Sequence, residues 1–331
     1  MTVAADVRPV DPAVGPDVEL ARVLRSGLHE GTHYGALVLV DRDGTVLRQR
    51  GDVHRPVFHR SCAKPFQAVA MLEAGADLVD ADLALASASH SGEPQHTERA
   101  LAMLHRAALT EDDLRCPEDY PLDEATRLTL LREGGTRRRI YMNCSGKHTG
   151  MLLACTAAGW TRSDYPDPEH PLQRAARAVV EDLSGETVAA TGVDGCGAPV
   201  FGLSLVGLAR AFGRVAAGPA GSSAGRVAAA MRAFPQMVAG TGREDTRLMT
   251  RHPELLVKGG AEGVHTAALP DGRAVAVKVS DGAERARMPV LMTALRRLGL
   301  DSELIEELGR GTILGGDRPV GTVEAVSGLF G

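Results

Sequence analysis

Ser61 and Lys64 are the pair of residues in this chain with the clearest capacity for chemistry. At the start of a helix, positions i and i+3 share a face, so a hydroxyl and an amine at that spacing come within reach of one another. A hydroxyl alone is a poor nucleophile, and a partly desolvated lysine held neutral can take its proton. The same four-residue pattern occurs on many solvated helix starts, so it carries weight only through its company. That company is Ser89-His90-Ser91-Gly92 and, far downstream, Lys258-Gly259-Gly260.

Serine acyl-transfer enzymes that recognise penicillins combine Ser-x-x-Lys with a later Lys-Thr-Gly on an edge strand. Lys258-Gly259-Gly260 has that form with glycine in its middle position, and Leu255-Leu256-Val257 runs apolar into it as a strand would. Glycines after the lysine let a substrate approach the backbone closely. The competing reading is a plain turn between two strands.

A third constellation concerns metal. Asn143-Cys144-Ser145-Gly146-Lys147-His148 and Asp194-Gly195-Cys196-Gly197 each set a thiol in a glycine-containing context. Two thiolates with a nitrogen or oxygen donor suit zinc, and on spacing alone His148 is the natural third donor. Lys147 would ligate only after losing its proton, which a nearby divalent cation eases. Isolated buried thiols are the alternative. Five cysteines (Cys62, Cys116, Cys144, Cys155 and Cys196) are too few and too scattered for a disulfide framework. Cys155, in the run Met151-Leu152-Leu153-Ala154, reads as core.

These groups need elements to hold them. Ala36 to Val40 and Thr45 to Leu47 form a hairpin around Asp43-Gly44, and Val264 to Leu269 with Ala274 to Val279 form a second around Pro270-Asp271-Gly272. Pro65 to Ala74 reads as a helix, with proline in its first turn and Gly75 at its end. Further helices are expected over about 98–108, 173–182, 200–214, 222–234, 289–298 and 301–308, with Gly240-Thr241-Gly242-Arg243 as a loop. Strands at both ends with helices between them predict an α/β fold. One antiparallel or mixed sheet is built from both termini, flanked by helices that partly form a second subdomain. Such a layout brings Ser61 and Lys258 together.

The 331 residues, 44% of them hydrophobic, suffice for one large domain with a sizeable core. A net charge of −5 argues against a nucleic-acid or anionic-membrane partner, and the short Arg137-Arg138-Arg139 run reads as solvated surface. No apolar run is long enough to span a membrane. Residues 1–17 read as a proline-containing disordered tail without a signal-peptide pattern, and 18–331 as a single domain. A cytoplasmic location is expected.

Five ordered motifs resemble the bacterial L-asparaginase II family of the thermolabile, Rhizobium type. They are Arg60-Ser61-x-Ala63-Lys64-Pro65, Ala88-Ser89-His90-Ser91-Gly92-Glu93, Asn143-Cys144-Ser145-Gly146-Lys147-His148, Asp194-Gly195-Cys196-Gly197-Ala198-Pro199 and Lys258-Gly259-Gly260-Ala261-Glu262-Gly263. The resemblance spans about residues 18 to 330. It implies a fold akin to serine β-lactamases and glutaminases, and hydrolysis of L-asparagine to L-aspartate and ammonia by a homodimer. It implies Ser61 paired with Lys64 and Ser89 paired with Lys258. It also implies zinc held by Cys144, Lys147 and Cys196 beside Asp194, with Lys147 where spacing had favoured His148. Cys62 fills a variable position next to the nucleophile and predicts sensitivity to thiol reagents.

The expected mechanism is covalent. Ser61 attacks the amide carbon with Lys64 as base, backbone N–H groups bind the oxyanion, and ammonia leaves. Ser89 either relays a proton or is itself the nucleophile. Two readings from other classes compete. One is a β-lactamase- or peptidase-like acyl enzyme, against which the missing Ser-Asp-Asn element counts. The other is a non-catalytic zinc-binding ligand sensor.

Overall fold

The structure, a computed structural model, describes residues 17–330. The tail expected over residues 1–17 lies, apart from Asp17, outside the described residues. Asp17 itself accepts hydrogen bonds from Arg55 and Ser280.

The sheet is made from both ends of the chain, as expected. The strands are β1 (Val18–Arg25), β2 (Leu28–Val40), β3 (Val46–Arg50), β4 (Val57–Phe58), β5 (Ala190–Val193), β6 (Pro199–Leu203), β7 (Leu256–Gly259), β8 (Val264–Ala268), β9 (Ala274–Val279), β10 (Arg310–Gly315) and β11 (Arg318–Ala325). The main sheet runs β10-β11-β1-β2-β9-β8-β7, with β3 also on β2. Every pairing in it is antiparallel, for example Val23 opposite Val323 and Leu37 opposite Val277. A small second sheet, β4-β6-β5, lies apart.

Local chemistry explains the hairpins. The Asp41 carboxylate accepts the Asp43 and Thr45 N–H groups, and Gly44 takes the left-handed φ of +81° that the β2–β3 turn needs. β2 pairs with β1 along its first part and with β9 on its other edge from Gly35 onward, so both neighbours meet at Gly35. A Cβ at Gly35 would lie 2.0 Å from the Lys278 carbonyl oxygen there, so only glycine fits.

Helices Leu205–Ala216 and Glu284–Arg297 cover the sheet, the first against β2, β8 and β9, the second against β1 and β8 to β11. The run from Val200, expected to be helical throughout, is β6 up to Leu203 and turns helical only from Leu205. The side chain of Ser204 caps that helix by accepting the Gly207 N–H. A continuous apolar run does not reveal where strand gives way to helix.

A body of helices stands beside the sheet: Lys64–Glu73, Asp80–Ala86, Pro94–Arg106, Ser145–Ala158, Pro171–Ser184 and Ser223–Ala233. Lys64–Glu73 is its axis, buried at every position up to Leu72. The Ser145–Ala158 helix approaches closely through glycine. A Cβ at Gly146 would stand 2.5 Å from Leu85 Cγ, and one at Gly150 2.8 Å from Met71 Sδ. The junction between this body and β7 is where the candidate residues meet.

Candidate active site

Lys258 reaches the site on β7, where Lys258 lies opposite Thr266 and Gly259 opposite His265 of β8. Ser61 sits in a 3₁₀ turn, Arg60–Ala63, that leads directly into the Lys64–Glu73 helix. A Cβ at Gly260 would come within 3.1 Å of the Cys62 sulfur and the His59 carbonyl, so glycine there lets the end of β7 close on that turn. Ser89 lies in the loop after the Asp80–Ala86 helix, pinned by its own N–H on the Val238 carbonyl and by the His90 N–H on the Asn143 carbonyl.

The four expected catalytic residues converge: the expected Ser89–Lys258 pair is present, and Lys64 joins it instead of pairing with Ser61. Lys64 Nζ donates to Ser89 Oγ at 2.8 Å and to the Ala88 carbonyl at 2.6 Å. Lys258 Nζ donates to the same Ser89 oxygen at 3.1 Å and to the Gly259 carbonyl at 2.7 Å. Ser89 therefore bridges two buried amines. The Ser61 hydroxyl makes no hydrogen bond among the described residues, so the Ser61–Lys64 pair inferred from i, i+3 spacing is not formed. Lys64 Nζ is instead drawn to the Ala88 carbonyl and the Ser89 hydroxyl of the neighbouring loop.

Ser61, Ser89, Asn143, Lys258, Gly260 and Ala261 line a cavity of about 140 Å³. It opens past Leu122, Arg243 and Glu284 into a groove of about 890 Å³. Ser61, just before the Lys64–Glu73 helix, and Ala261, just after β7, therefore face the same cavity from two elements. Arg60, immediately before Ser61, has a left-handed φ of +48° that a side chain adopts only under constraint. The constraint is visible: Arg60 Nε donates to Asp194 Oδ1 at 2.7 Å, and its guanidinium lies 3.6 Å from Glu262.

Electrostatics separates the groups. Burial brings the Lys258 amine down to a pKa of about 8; the Lys64 cation pushes the same way, and Asp245 partly opposes both. Burial pushes the Cys62 thiol up to about 12, and its Sγ–H donates to the Lys258 carbonyl. The thiol-reagent sensitivity expected of Cys62 is overturned: it is wholly buried, and a thiol rather than a thiolate.

Cys144, Lys147 and Cys196 form a second cluster beside the cavity. Lys147 Nζ donates to the Cys196 sulfur at 3.0 Å, and the Cys144 thiol donates to the amide oxygen of the cavity residue Asn143 at 3.0 Å. The Cys196 thiol is held far below its ordinary pKa, first by a hydrogen bond from Cys144 and then, against burial, by the Lys147 charge. The Cys144 thiol is raised correspondingly. Burial penalises the Lys147 ammonium, but the Cys196 and Cys144 sulfurs outweigh it and hold its pKa above the usual lysine value.

Two soft sulfurs and one amine at this separation fit a thiophilic divalent ion such as zinc once the amine gives up its proton. His148 is the other nitrogen close to this cluster. The Tyr165 hydroxyl accepts the Arg115 N–H and lies 2.6 Å from His148 Nδ1. His148 Nε2 is buried with no hydrogen-bond partner among the described residues. Among the described residues no three His, Cys, Asp or Glu side chains converge as a metal site.

Sequence reasoning did not single out Asp245, His265 or Arg287, which pack behind Lys258. Asp245 lies in the first turn of the Glu244–Arg251 helix, where a carboxylate reads as ordinary N-terminal charge. No local signal marks it.

A profile of the L-asparaginase II family matches residues 21–325. The chain belongs to that family of hydrolases. No curated protein matches it in sequence. Among solved structures it is similar to a β-lactamase from Mycobacterium bovis, at 17% identity and a TM-score of 0.47 over 80% of this chain and 95% of that one. A candidate β-lactamase from Bacteroides dorei is 14% identical, with a TM-score of 0.46 over 80% and 92% of the two chains. A hydrolase with promiscuous acyltransferase activity is 14% identical, with a TM-score of 0.39 over 89% and 93%. At such scores these likenesses bear on no step of the chemistry. No helix among the described residues is long and apolar enough to cross a membrane.

Proposed function

We propose that the protein hydrolyses the side-chain amide of L-asparagine to L-aspartate and ammonia through an acyl-enzyme on Ser61. The observation that carries this reading is the Ser89 hydroxyl held between two buried amines in the same small cavity as Ser61. A free amino-acid amide matches a cavity of about 140 Å³, whereas a penicillin or a peptide would extend into the groove outside. The five motifs support the thermolabile, Rhizobium-type branch of the family, and the resemblance adds a cytoplasmic homodimer to the reading.

Burial makes the neutral form of Lys258 accessible near neutral pH. As Lys64 passes a proton to Ser89 Oγ, the Ser89 hydroxyl proton moves to Lys258. Lys64 is then neutral and, once bound substrate brings the Ser61 hydroxyl onto it, takes the Ser61 proton while the Ser61 oxygen bonds to the amide carbon. The Ser61 and Ala261 N–H groups receive the oxyanion. The carbon–nitrogen bond breaks as the nitrogen takes a proton from Ser89, which Lys258 replaces, and ammonia leaves. Water then bonds to the acyl carbon and gives its proton to Lys258, and the Ser61 oxygen recovers its proton from Lys64. The product carboxyl gives its remaining proton to ammonia, and the Lys258 proton returns to Lys64 through Ser89, which restores the starting state.

Cys144, Lys147 and Cys196 would hold zinc. A zinc ion at those residues would supply a Lewis-acidic charge for positioning the substrate or the adjoining loop. Asn143, which lines the cavity, is the polar side chain that the chain itself offers for orienting the substrate.

Ammonia release from L-asparagine, with L-glutamine and a chromogenic β-lactam as comparators, tests the reading. Turnover of asparagine above both is expected. Cleavage of the β-lactam alone would favour the β-lactamase-like reading, and binding of asparagine without ammonia release would favour a sensor.

A further inference from the structure

Behind Lys258 lies a buried acid that the reaction above does not use. Asp245 is 7% exposed. Its Oδ2 accepts the Gly259 N–H at 2.8 Å, and its Oδ1 pairs with His265 Nε2 at 2.8 Å. Gly259 follows Lys258 on β7, and His265 is the residue that β8 places opposite Gly259. One carboxylate thus grips both strands at the point from which the Lys258 side chain sets out toward Ser89.

The charges around it explain why an acid is needed. Lys64 faces Lys258 from its helix, and Arg243 faces it from the segment before the Glu244–Arg251 helix. Arg287 comes from the Glu284–Arg297 helix and donates to the Gly260 carbonyl at 2.7 Å. Cys62 from the 3₁₀ turn and His265 from β8 complete the shell, both neutral because burial opposes their charged forms. Glu244 and Glu284 line the cavity at its exposed rim. Asp245 is the buried carboxylate in this shell. Burial works against its charge, yet His265, Lys258 and the Gly259 N–H keep it ionised.

We propose that Asp245 is the positioning residue for Lys258, fixing the end of β7 and setting how readily that amine holds and releases the proton it exchanges with Ser89. The step served is the transfer of a proton from Lys64 to Ser89 Oγ as the Ser89 proton moves to Lys258. No bond to carbon changes in it, and net charge is conserved. Without the carboxylate, Lys258 is surrounded by cations and becomes a weaker base. The inference deepens the asparaginase reading and rests on it for its catalytic arm.

The test combines a pH profile of kcat on L-asparagine with an NMR titration of ¹³C-labelled lysine side chains without substrate, the Lys258 signal being assigned with Lys258→Met. The wild-type midpoint is expected near 8. In Asp245→Asn it should fall by on the order of one unit, and the acid limb of kcat should move to lower pH by the same amount. Asp245→Glu keeps the charge one methylene away and should show a smaller shift of the same sign, with kcat recovered relative to Asp245→Asn. A folded Asp245→Asn protein with an unchanged Lys258 midpoint overturns the inference. If that variant does not fold, Asp245→Glu with wild-type midpoint and kcat overturns it. Lack of ammonia release from the wild type would overturn the asparaginase reading alone, because the NMR arm needs no substrate.

Discussion

Two lysines in this molecule share one degree of burial and have opposite fates. Lys258 and Lys147 are each 1% exposed, so each loses the hydration of its charge. At Lys258 burial dominates: the Asp245 carboxylate opposes it, the Lys64 cation on the other side of a shared serine adds to it, and the pKa falls to about 8. Lys147 has the sulfurs of Cys196 and Cys144 as neighbours, and its pKa rises above the ordinary value. Desolvation is common to both, and whether the surrounding anions outweigh it decides the outcome. One lysine is suited to exchanging protons. The other is a fixed cation that becomes a ligand only when a metal displaces its proton.

That contrast is open to direct attack. The largest effect belongs to the serine next to the proton-exchanging cluster. Ser61→Ala should leave the fold intact and lower kcat by about 10³-fold or more. A variant that kept more than roughly a tenth of the wild-type rate would point to Ser89 as the nucleophile.

Lys258→Met and Lys64→Met come next, each expected to cost about 10²–10⁴-fold, since both amines handle protons along the Ser89 bridge. If Lys258→Met kept an unshifted pH–kcat profile, the proton exchange assigned to it would be lost and the contrast with Lys147 would collapse.

At the other cluster the readout is metal, not rate. Purified protein should carry about one zinc per chain. Cys144→Ser, Cys196→Ser and Lys147→Ala should each lose it, while His148→Ala retains it. Elemental analysis that found zinc in Lys147→Ala and none in His148→Ala would reverse the donor assignment.

The smallest effect concerns Cys62. All five cysteines are buried, so alkylation of the folded protein should leave the rate as it was. Inactivation that tracks modification of Cys62 would contradict its raised pKa.

Much of this was legible beforehand, and the failures are instructive. Both hairpins could be read from Asp43-Gly44 and Pro270-Asp271-Gly272, because turn chemistry is local. The Lys64–Glu73 helix announced itself through Pro65 and Gly75 for the same reason. The run from Val200 was misread because a buried strand and a buried helix present the same unbroken apolar text. The pairing of Ser61 with Lys64 was misread because spacing along one turn cannot show that the Ala88 carbonyl and the Ser89 hydroxyl, from a separate loop, draw Lys64 Nζ to themselves. Asp245 went unseen because its meaning depends on Gly259 and His265, which are near it only in space.

The identities of the reactive groups, two serines, two lysines and two thiols with a third lysine, were written in the sequence, and so was the architecture that brings both ends of the chain into one sheet. Motif chemistry and turn chemistry act over a few residues, so the order of residues is enough to express them. Which lysine meets which serine, which amine is easily made neutral, and that Cys62 is inert were settled only by the tertiary structure. Each of those depends on burial and on the sign of charges contributed by distant segments, and electrostatic interaction follows distance in space rather than along the chain.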